Sequence, residues 1–278
     1  MIKVGVLADS HGGNYEAAFA KVRDMGFGCC QISALPSQLT DADIEGIIKA
    51  REKYDIEIPS FGCSMRGPAV WDFYDGQVTL GLVPSVYRKQ RVQDLIDAAP
   101  VCAKLGIQNI ICHCGYIPEN PLCELYHEII ASIRYICRRY KQDGLYFCFE
   151  TGQETPVTLL RVIDDVGTGN LGVNFDTANL MMYGKSNSAD ALDIIGKYVR
   201  CMHAKDGEYP TNGRELGLEK PIGKGRANFP LIISKLKALG YNGTMVIERE
   251  IPDGPERYND ILASKTYLEQ QISQIYAE

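Results

Sequence analysis

The 278-residue chain predicts an α/β fold, a closed (β/α)8 TIM barrel forming a single domain over residues 1–278, and three observations carry the prediction. Strand-like apolar runs open near Ile2, Gly28, Ile56, Ile107, Leu145, Leu171, Tyr198 and Gly243. Amphipathic stretches fill most of the intervals, and each crossover is long enough for a helix, which specifies a parallel sheet. The length suits a barrel of about 250 residues and can bury a sizeable core. A doubly wound open sheet is the competing arrangement. No Gly-x-Gly-x-x-Gly follows the first run, which weakens that competitor.

The helical stretches have readable ends. Residues 15–25 put Ala18, Phe19 and Val22 on one face and stop at Gly26, a C-cap. Thr40 with Asp43 makes a capping-box start for a helix running to about Tyr54. Residues 92–105 end at Gly106, and 122–141 form a long helix ending before Gly144. Thr155 followed by Pro156 is an N-cap with proline at the first helical position. Asn228 caps a helix ending at Gly240, and the last helix covers about 258–275. Two long connections stand out, 64–88 after the third run and 206–227 after the seventh. Both follow strand C-termini, the face on which barrel sites are built. Arg66, Trp71, Phe73 and Tyr74 give the first a sugar-stacking character, with a structural hairpin packed on the barrel as the plainer alternative.

Composition narrows the function classes. The net charge is −6 without a basic tract, so nothing invites nucleic acid or an anionic membrane. No segment approaches the roughly 20 apolar residues of a membrane helix. Residues 1–9 do not read as a signal peptide, because their apolar stretch is short and leads straight into a polar loop. The expectation is a cytoplasmic protein whose ten cysteines are reduced. Cys112-His113-Cys114 lacks the two-residue spacer of a zinc site, and strand alternation splays His113 away from both thiols. The two cysteines read as core filling.

Four successive apolar runs end on a potential metal ligand: Glu150, Asp176, His203 and Glu248. Alternation along each strand puts Cys148, Asn174, Cys201 and Val246 on the same inward face beneath them. Singly, such residues serve as helix caps or loop anchors. In order on consecutive strands, they form an arc aimed at one volume. Three carboxylates and an imidazole are a hard donor set that suits Mn²⁺ or Mg²⁺ and accepts Co²⁺ or Zn²⁺.

With these residues the chain resembles the xylose-isomerase-like TIM-barrel superfamily, the sugar phosphate isomerase/epimerase group. That group includes ketose 3-epimerases, hydroxypyruvate isomerase, inosose isomerases and dehydratases, and endonuclease IV. The resemblance is carried by Glu150-Thr151-Gly152, Asp176-Thr177-Ala178, His203-Ala204-Lys205-Asp206, Gly223-Lys224-Gly225 with Phe229, and Glu248. His113 matches a histidine that commonly ends the fourth strand, and the likeness covers essentially the whole chain. It implies one divalent cation, Mn²⁺ foremost, held by Glu150, Asp176, His203 and Glu248. It also implies a keto-sugar or sugar-acid substrate, with Glu150 and Glu248 as the acid/base pair. Proton abstraction α to a carbonyl gives an enediolate. Return at the same carbon epimerises, return at the neighbour isomerises, and loss of a β-hydroxyl dehydrates. His113, Asn179, Lys205, Asp206, Trp71, Arg66 and Arg226 are the candidate substrate-binding residues.

The chain departs from the ketose 3-epimerase pattern. Asn179 stands where that branch has a histidine, Glu208 and Tyr209 where it expects an arginine, and Lys224 where the family often has an acid. Arg66, Lys224 and Arg226 would suit an acidic or phosphorylated sugar. A dehydratase or lyase on the same metal site is the alternative, followed by a metal-free sugar-binding barrel. An endonuclease IV-like repair enzyme needs several further histidines, and only His11, His113, His127 and His203 are present. The expected partner is a small sugar, with no nucleic acid and no membrane. The resemblance adds a dimer or tetramer.

Overall fold

Eight parallel strands close into a barrel in the computed structural model, which describes residues 1–9 and 13–277; His11 lies outside the described residues. The first seven strands are β1 (Lys3–Leu7), β2 (Cys30–Ala34), β3 (Ser60–Cys63), β4 (Asn109–Cys112), β5 (Tyr146–Glu150), β6 (Leu171–Asp176) and β7 (Val199–Ala204). A two-stranded antiparallel ladder follows, β8 (Asp206–Gly207) with β9 (Glu219–Lys220), and β10 (Thr244–Ile247) closes the ring between β7 and β1. The parallel barrel expected from the alternating pattern is therefore the fold.

The helices are α1 (Tyr15–Asp24), α2 (Asp41–Tyr54), α3 (Gly76–Thr79), α4 (Ser85–Leu105), α5 (Glu124–Gln142), α6 (Pro156–Val166), α7 (Asn179–Met182), α8 (Ser188–Ile195), α9 (Phe229–Ala238) and α10 (Pro255–Ala277). Three starts follow from local side-chain chemistry. Thr40 and Asp43 form the reciprocal capping box of α2. Thr155 Oγ1 accepts from the Thr158 N–H at 3.2 Å, and Asn228 Oδ1 accepts from the Leu231 N–H at 3.3 Å. Two boundaries differ from expectation. The third strand begins at Ser60, with only an isolated bridge from Cys29 to Glu57 before it. Helix α4 begins at Ser85 and runs through Pro100, so the segment after β3 shortens to residues 64–84. Its first two turns lack aliphatic periodicity because a buried Arg91 stands where a core residue would.

Outward-facing strand residues such as Phe147, Phe149, Val173, Phe175 and Met202 pack beneath the helices in the main core. Cys112 and Cys114 join them, as core filling requires. Inward-facing Ile111, Cys148 and Cys201 form a separate small cluster inside the ring. Below that layer Arg200 lies 3.3 Å from the Tyr146 ring centroid and donates from Nε to Asn109 Oδ1 at 2.7 Å. Gly172 makes room for it, since a Cβ there would meet Arg200 Cδ at 2.4 Å. The bottom and middle of the ring are thus filled, and open space is left at the strand C-termini. Among the described residues, no helix is long and apolar enough to cross a membrane.

Candidate metal centre

Glu150 ends β5, Asp176 ends β6, His203 lies next to last in β7, and Glu248 follows β10. The β6–β7 register sets Asp176 beside His203, and the β7–β10 register sets His203 beside Val246. One ligand atom from each of the four side chains lies within 4.8 Å of the others. His203 Nδ1 is 2.9 Å from Glu150 Oε1, 3.5 Å from Glu248 Oε2 and 3.9 Å from Asp176 Oδ2.

Neighbouring hydroxyls and amides hold this cluster in place. Thr151 Oγ1 donates to the Asp176 carbonyl at 3.0 Å and accepts from its N–H at 2.9 Å, stapling the ends of β5 and β6. Thr177 Oγ1 accepts from the Lys205 N–H at 3.1 Å and donates to the Lys205 carbonyl, doing the same for β6 and β7. Asp176 Oδ1 accepts from the N–H groups of Ala178 and Asn179 at 2.8 and 2.7 Å. Its Oδ2 is buried without a hydrogen-bond partner. His203 Nε2 lies 3.0 Å from Gln31 Oε1, so donation to that amide oxygen leaves Nδ1 free to ligate.

The electrostatics are those of a buried anionic nest. Burial pushes the Asp176 carboxyl well above its usual range. Burial also opposes ionisation of Glu150, but the His113 and His203 imidazoles beside it hold its pKa at about 2. Glu248 is likewise held well below the usual range, against burial, by Lys205 and His203. Burial lowers the His113 pKa, yet the adjacent Glu150 outweighs it and raises the value to about 9. An orphaned buried carboxylate oxygen among hard oxygen and nitrogen donors fits one divalent cation.

Glu150, His203 and Glu248 floor a cavity of about 400 Å³ whose walls include Gln31, Met65, Leu80, Arg91 and Ile111, with Asp176 buried behind them. A second chamber of about 160 Å³ shares Trp71, His113, Glu150, Glu248 and Glu250 with it and adds Asn179, Met182, Tyr183 and Leu216. His113 Nε2 is 3.2 Å from Glu150 Oε1, and Trp71 meets the His113 ring edge-on at 4.7 Å. Lys205 is buried, 3.2 Å from Glu248 Oε2 and ion-paired with Glu250.

Four expected substrate-binding residues do not line these chambers: Lys205, which stands behind Glu248 and Glu250, and Asp206, Arg66 and Arg226. Asp206 turns away and accepts the N–H groups of Gly207, Gly223, Gly225 and Ala227, at 2.9, 2.9, 3.0 and 2.9 Å, anchoring the loop after β8. Gly225 is needed for that approach, because a Cβ there would meet Asp206 Oδ1 at 2.2 Å. Arg66 binds Asp94 through Nε at 2.6 Å and through its own N–H at 2.9 Å. Arg226 is exposed and contributes a backbone N–H to Gly207 O at 2.8 Å. Conversely, Gln31, Glu250 and buried Glu154 were not anticipated. Gln31 was visible only as a polar residue inside an apolar run, and Glu250 only as a second acid two residues after Glu248.

Fold and site together define a (β/α)8 barrel with a candidate metal centre at the C-terminal ends of its strands. The family described as "Xylose isomerase-like TIM barrel" matches residues 19–270, and the chain belongs to it. An uncharacterized protein of Methanocaldococcus jannaschii is 26% identical, over 89% of this chain and 91% of its own length. The crystal structure of a xylose isomerase domain protein from Planctomyces limnophilus superposes with a TM-score of 0.92 at 27% identity, covering 100% of this chain and 99% of that one. A D-tagatose 3-epimerase-like protein shares the fold with a TM-score of 0.75 at 23% identity, covering 99% of each chain.

Proposed function

We propose that this protein is a divalent-metal-dependent sugar isomerase/epimerase acting by proton transfer α to a carbonyl. The observation that carries the reading is the unlike pair Glu150 and Glu248. They face one chamber from β5 and β10, Glu150 between two imidazoles and Glu248 beside an ammonium. Two carboxylates converging on one substrate from different strands can remove a proton on one face and return it on the other. Glu150, Asp176, His203 and Glu248 would hold the ion, Mn²⁺ foremost among Mn²⁺, Mg²⁺, Co²⁺ and Zn²⁺. When bound, it supplies Lewis-acid polarisation of the substrate carbonyl.

The remaining roles belong to the chain. Glu150 abstracts the proton and becomes the carboxylic acid, and Glu248, which must enter the step protonated, supplies one to the opposite face and is left as a carboxylate balanced by Lys205. His113 contacts the same Glu150 oxygen as His203 and orients it, and Trp71, packed edge-on against His113, screens the pair from water. The likeness to a D-tagatose 3-epimerase-like protein supports a sugar as the substrate class.

The test combines Mn²⁺ thermal shift, metal analysis and solvent-deuterium incorporation over a panel of keto-sugars. Mn²⁺ should raise the melting temperature of the wild type and do so far less for Glu150→Gln and Asp176→Asn. Deuterium should enter at the carbon α to the carbonyl, and Glu248→Gln should slow that exchange by roughly 10²–10⁴-fold. Absence of any Mn²⁺ effect would sink the reading. Water loss in place of exchange would move it to dehydration.

A further inference from the structure

We infer that the chain carries a second ligand site at the end of the barrel opposite the metal centre, one that takes a phosphate monoester with a hydroxylated organic part. A cavity of about 430 Å³ opens beneath the Arg200 plug, with Tyr146, Ile163, Asp164, Lys197, Tyr198 and Arg200 in its wall. Tyr146 begins β5 and Arg200 is the second residue of β7, so the cavity lies at strand N-termini. Arg200 and His203 stand on the same strand, which separates the two sites by roughly 10 Å along β7. Arg200 is fixed in place before any ligand arrives. Its guanidinium lies 3.3 Å from the Tyr146 ring centroid, Nε donates to Asn109 Oδ1 at 2.7 Å, and Gly172 leaves room for its stem. These contacts set the plane of the fork, yet Nη1 and Nη2 have no acceptor among the described residues. Lys197 lies 4.8 Å from the Tyr198 ring centroid and forms no ion pair among the described residues. The chain has 35 acidic residues against 29 basic ones, so carboxylate partners are in surplus. Two unmatched cations in one cavity of such a chain point to an anion from outside it.

The donor set selects the anion. A planar guanidinium with free η nitrogens matches two oxygens of a phosphate, and an ammonium adds a point charge. A phosphate monoester carries between one and two negative charges near neutral pH and so answers both cations, whereas a carboxylate answers one. Because Tyr146 and Asn109 already hold the guanidinium, little side-chain freedom is lost on binding. Asp164 is the acid in the wall, exposed at the rim, where it accepts from the Tyr198 hydroxyl at 3.4 Å. It repels a phosphate but accepts from a hydroxyl, so it orients the ligand with phosphate toward Lys197 and Arg200 and the hydroxylated part toward itself. Ile163 and Leu171 offer apolar surface to the C–H groups between. The volume suits a small organic ligand.

The full-length protein in excess Mg²⁺ is titrated calorimetrically with glycerol 3-phosphate, inorganic phosphate and glycerol. Glycerol 3-phosphate should bind once per chain, more tightly than inorganic phosphate, and weaken as NaCl is raised, while glycerol gives no heat. Lys197→Gln removes one charge, and Arg200→Lys keeps the charge while removing the fork. Each should weaken glycerol 3-phosphate at least about fivefold. Both variants should keep the wild-type melting response to Mn²⁺, which reads the fold and the far end of the barrel. Lys197 lies outside the ring filling, so Lys197→Gln decides the matter alone if Arg200→Lys does not fold. Absence of glycerol 3-phosphate binding up to about 10 mM overturns the inference. So does binding that both variants leave unchanged, or that Asp176→Asn abolishes in their place, because the anion then sits on the metal ion.

Discussion

Glu154 shows how much one unanticipated side chain can decide. It is buried at the turn after β5, its Oε1 has no hydrogen-bond partner, and burial raises its pKa from 4.5 to about 7. The fold therefore favours the neutral carboxyl. A raised folded pKa contributes stability that is complete below about 4.5 and is lost as pH climbs through about 7. A shift of this size corresponds to roughly 3 kcal/mol. Glu154→Gln keeps the shape and removes the ionisation, so the variant should be the more stable protein near pH 8. Near pH 4.5 the two should be close. Urea unfolding of the chelated proteins across that range checks this, and parallel pH profiles for the two would contradict it. Gln31 teaches a related lesson. An amide in an apolar run shows its purpose only once closure of the ring through β1 and β10 brings β2 within reach of β7 and its Oε1 meets His203.

At the scale of elements, the segment 64–84 is positioned by a helix that follows it. Arg91 on α4 gathers the carbonyls of Arg66, Pro68, Thr79 and Gly81, and Asp94 one turn later holds Arg66. Trp71 rides on that segment, so the chamber wall depends on a residue that need not touch a ligand. Arg91→Met keeps much of the side-chain volume and removes every donor. A buried carbonyl left without a partner costs about 1–3 kcal/mol, so a loss of at least about 3 kcal/mol is expected overall. Trp71 emission should move to the red, and limited proteolysis should cut within 64–84. Unchanged proteolysis would show that other contacts suffice. The same residue explains why the start of α4 was not legible. Capping signals at Thr40, Thr155 and Asn228 are local and could be read directly, whereas α4 starts after Pro84 without a side-chain cap and its buried Arg91 is explained only by hydrogen bonds to residues 10 to 25 positions away. Asp206 misled for a similar reason, because its partners come from a loop up to 21 residues downstream.

For the whole molecule, the barrel and its four ligands were legible because each ligand ends an apolar run, and closure of the ring brings those ends together. The charge state of the assembled centre was not, since it arises only when the strands converge. Asp176 is driven toward its neutral form by burial beside Glu248 and Glu150, with Lys205 opposing, whereas Glu150 and Glu248 stay ionised. In the metal-free protein the two signs therefore oppose. The raised Asp176 contributes stability that is lost as pH rises through its folded pKa, and the depressed glutamates contribute stability that is lost as pH falls through theirs. Ligation requires the carboxylate form of Asp176, so binding Mn²⁺ should expel a proton. The stabilisation from bound ion, about 2.7 kcal/mol at a hundredfold excess over Kd, should then grow as pH rises from about 5 to 8. Calorimetric titration with Mn²⁺ in two buffers of different ionisation enthalpy should return heats that differ by about one proton's worth. Asp176→Asn should erase that difference along with most of the affinity. Equal heats in both buffers, with tight Mn²⁺ binding retained, would mean that Asp176 is already ionised in the folded chain and that the nest is less desolvated than its burial implies.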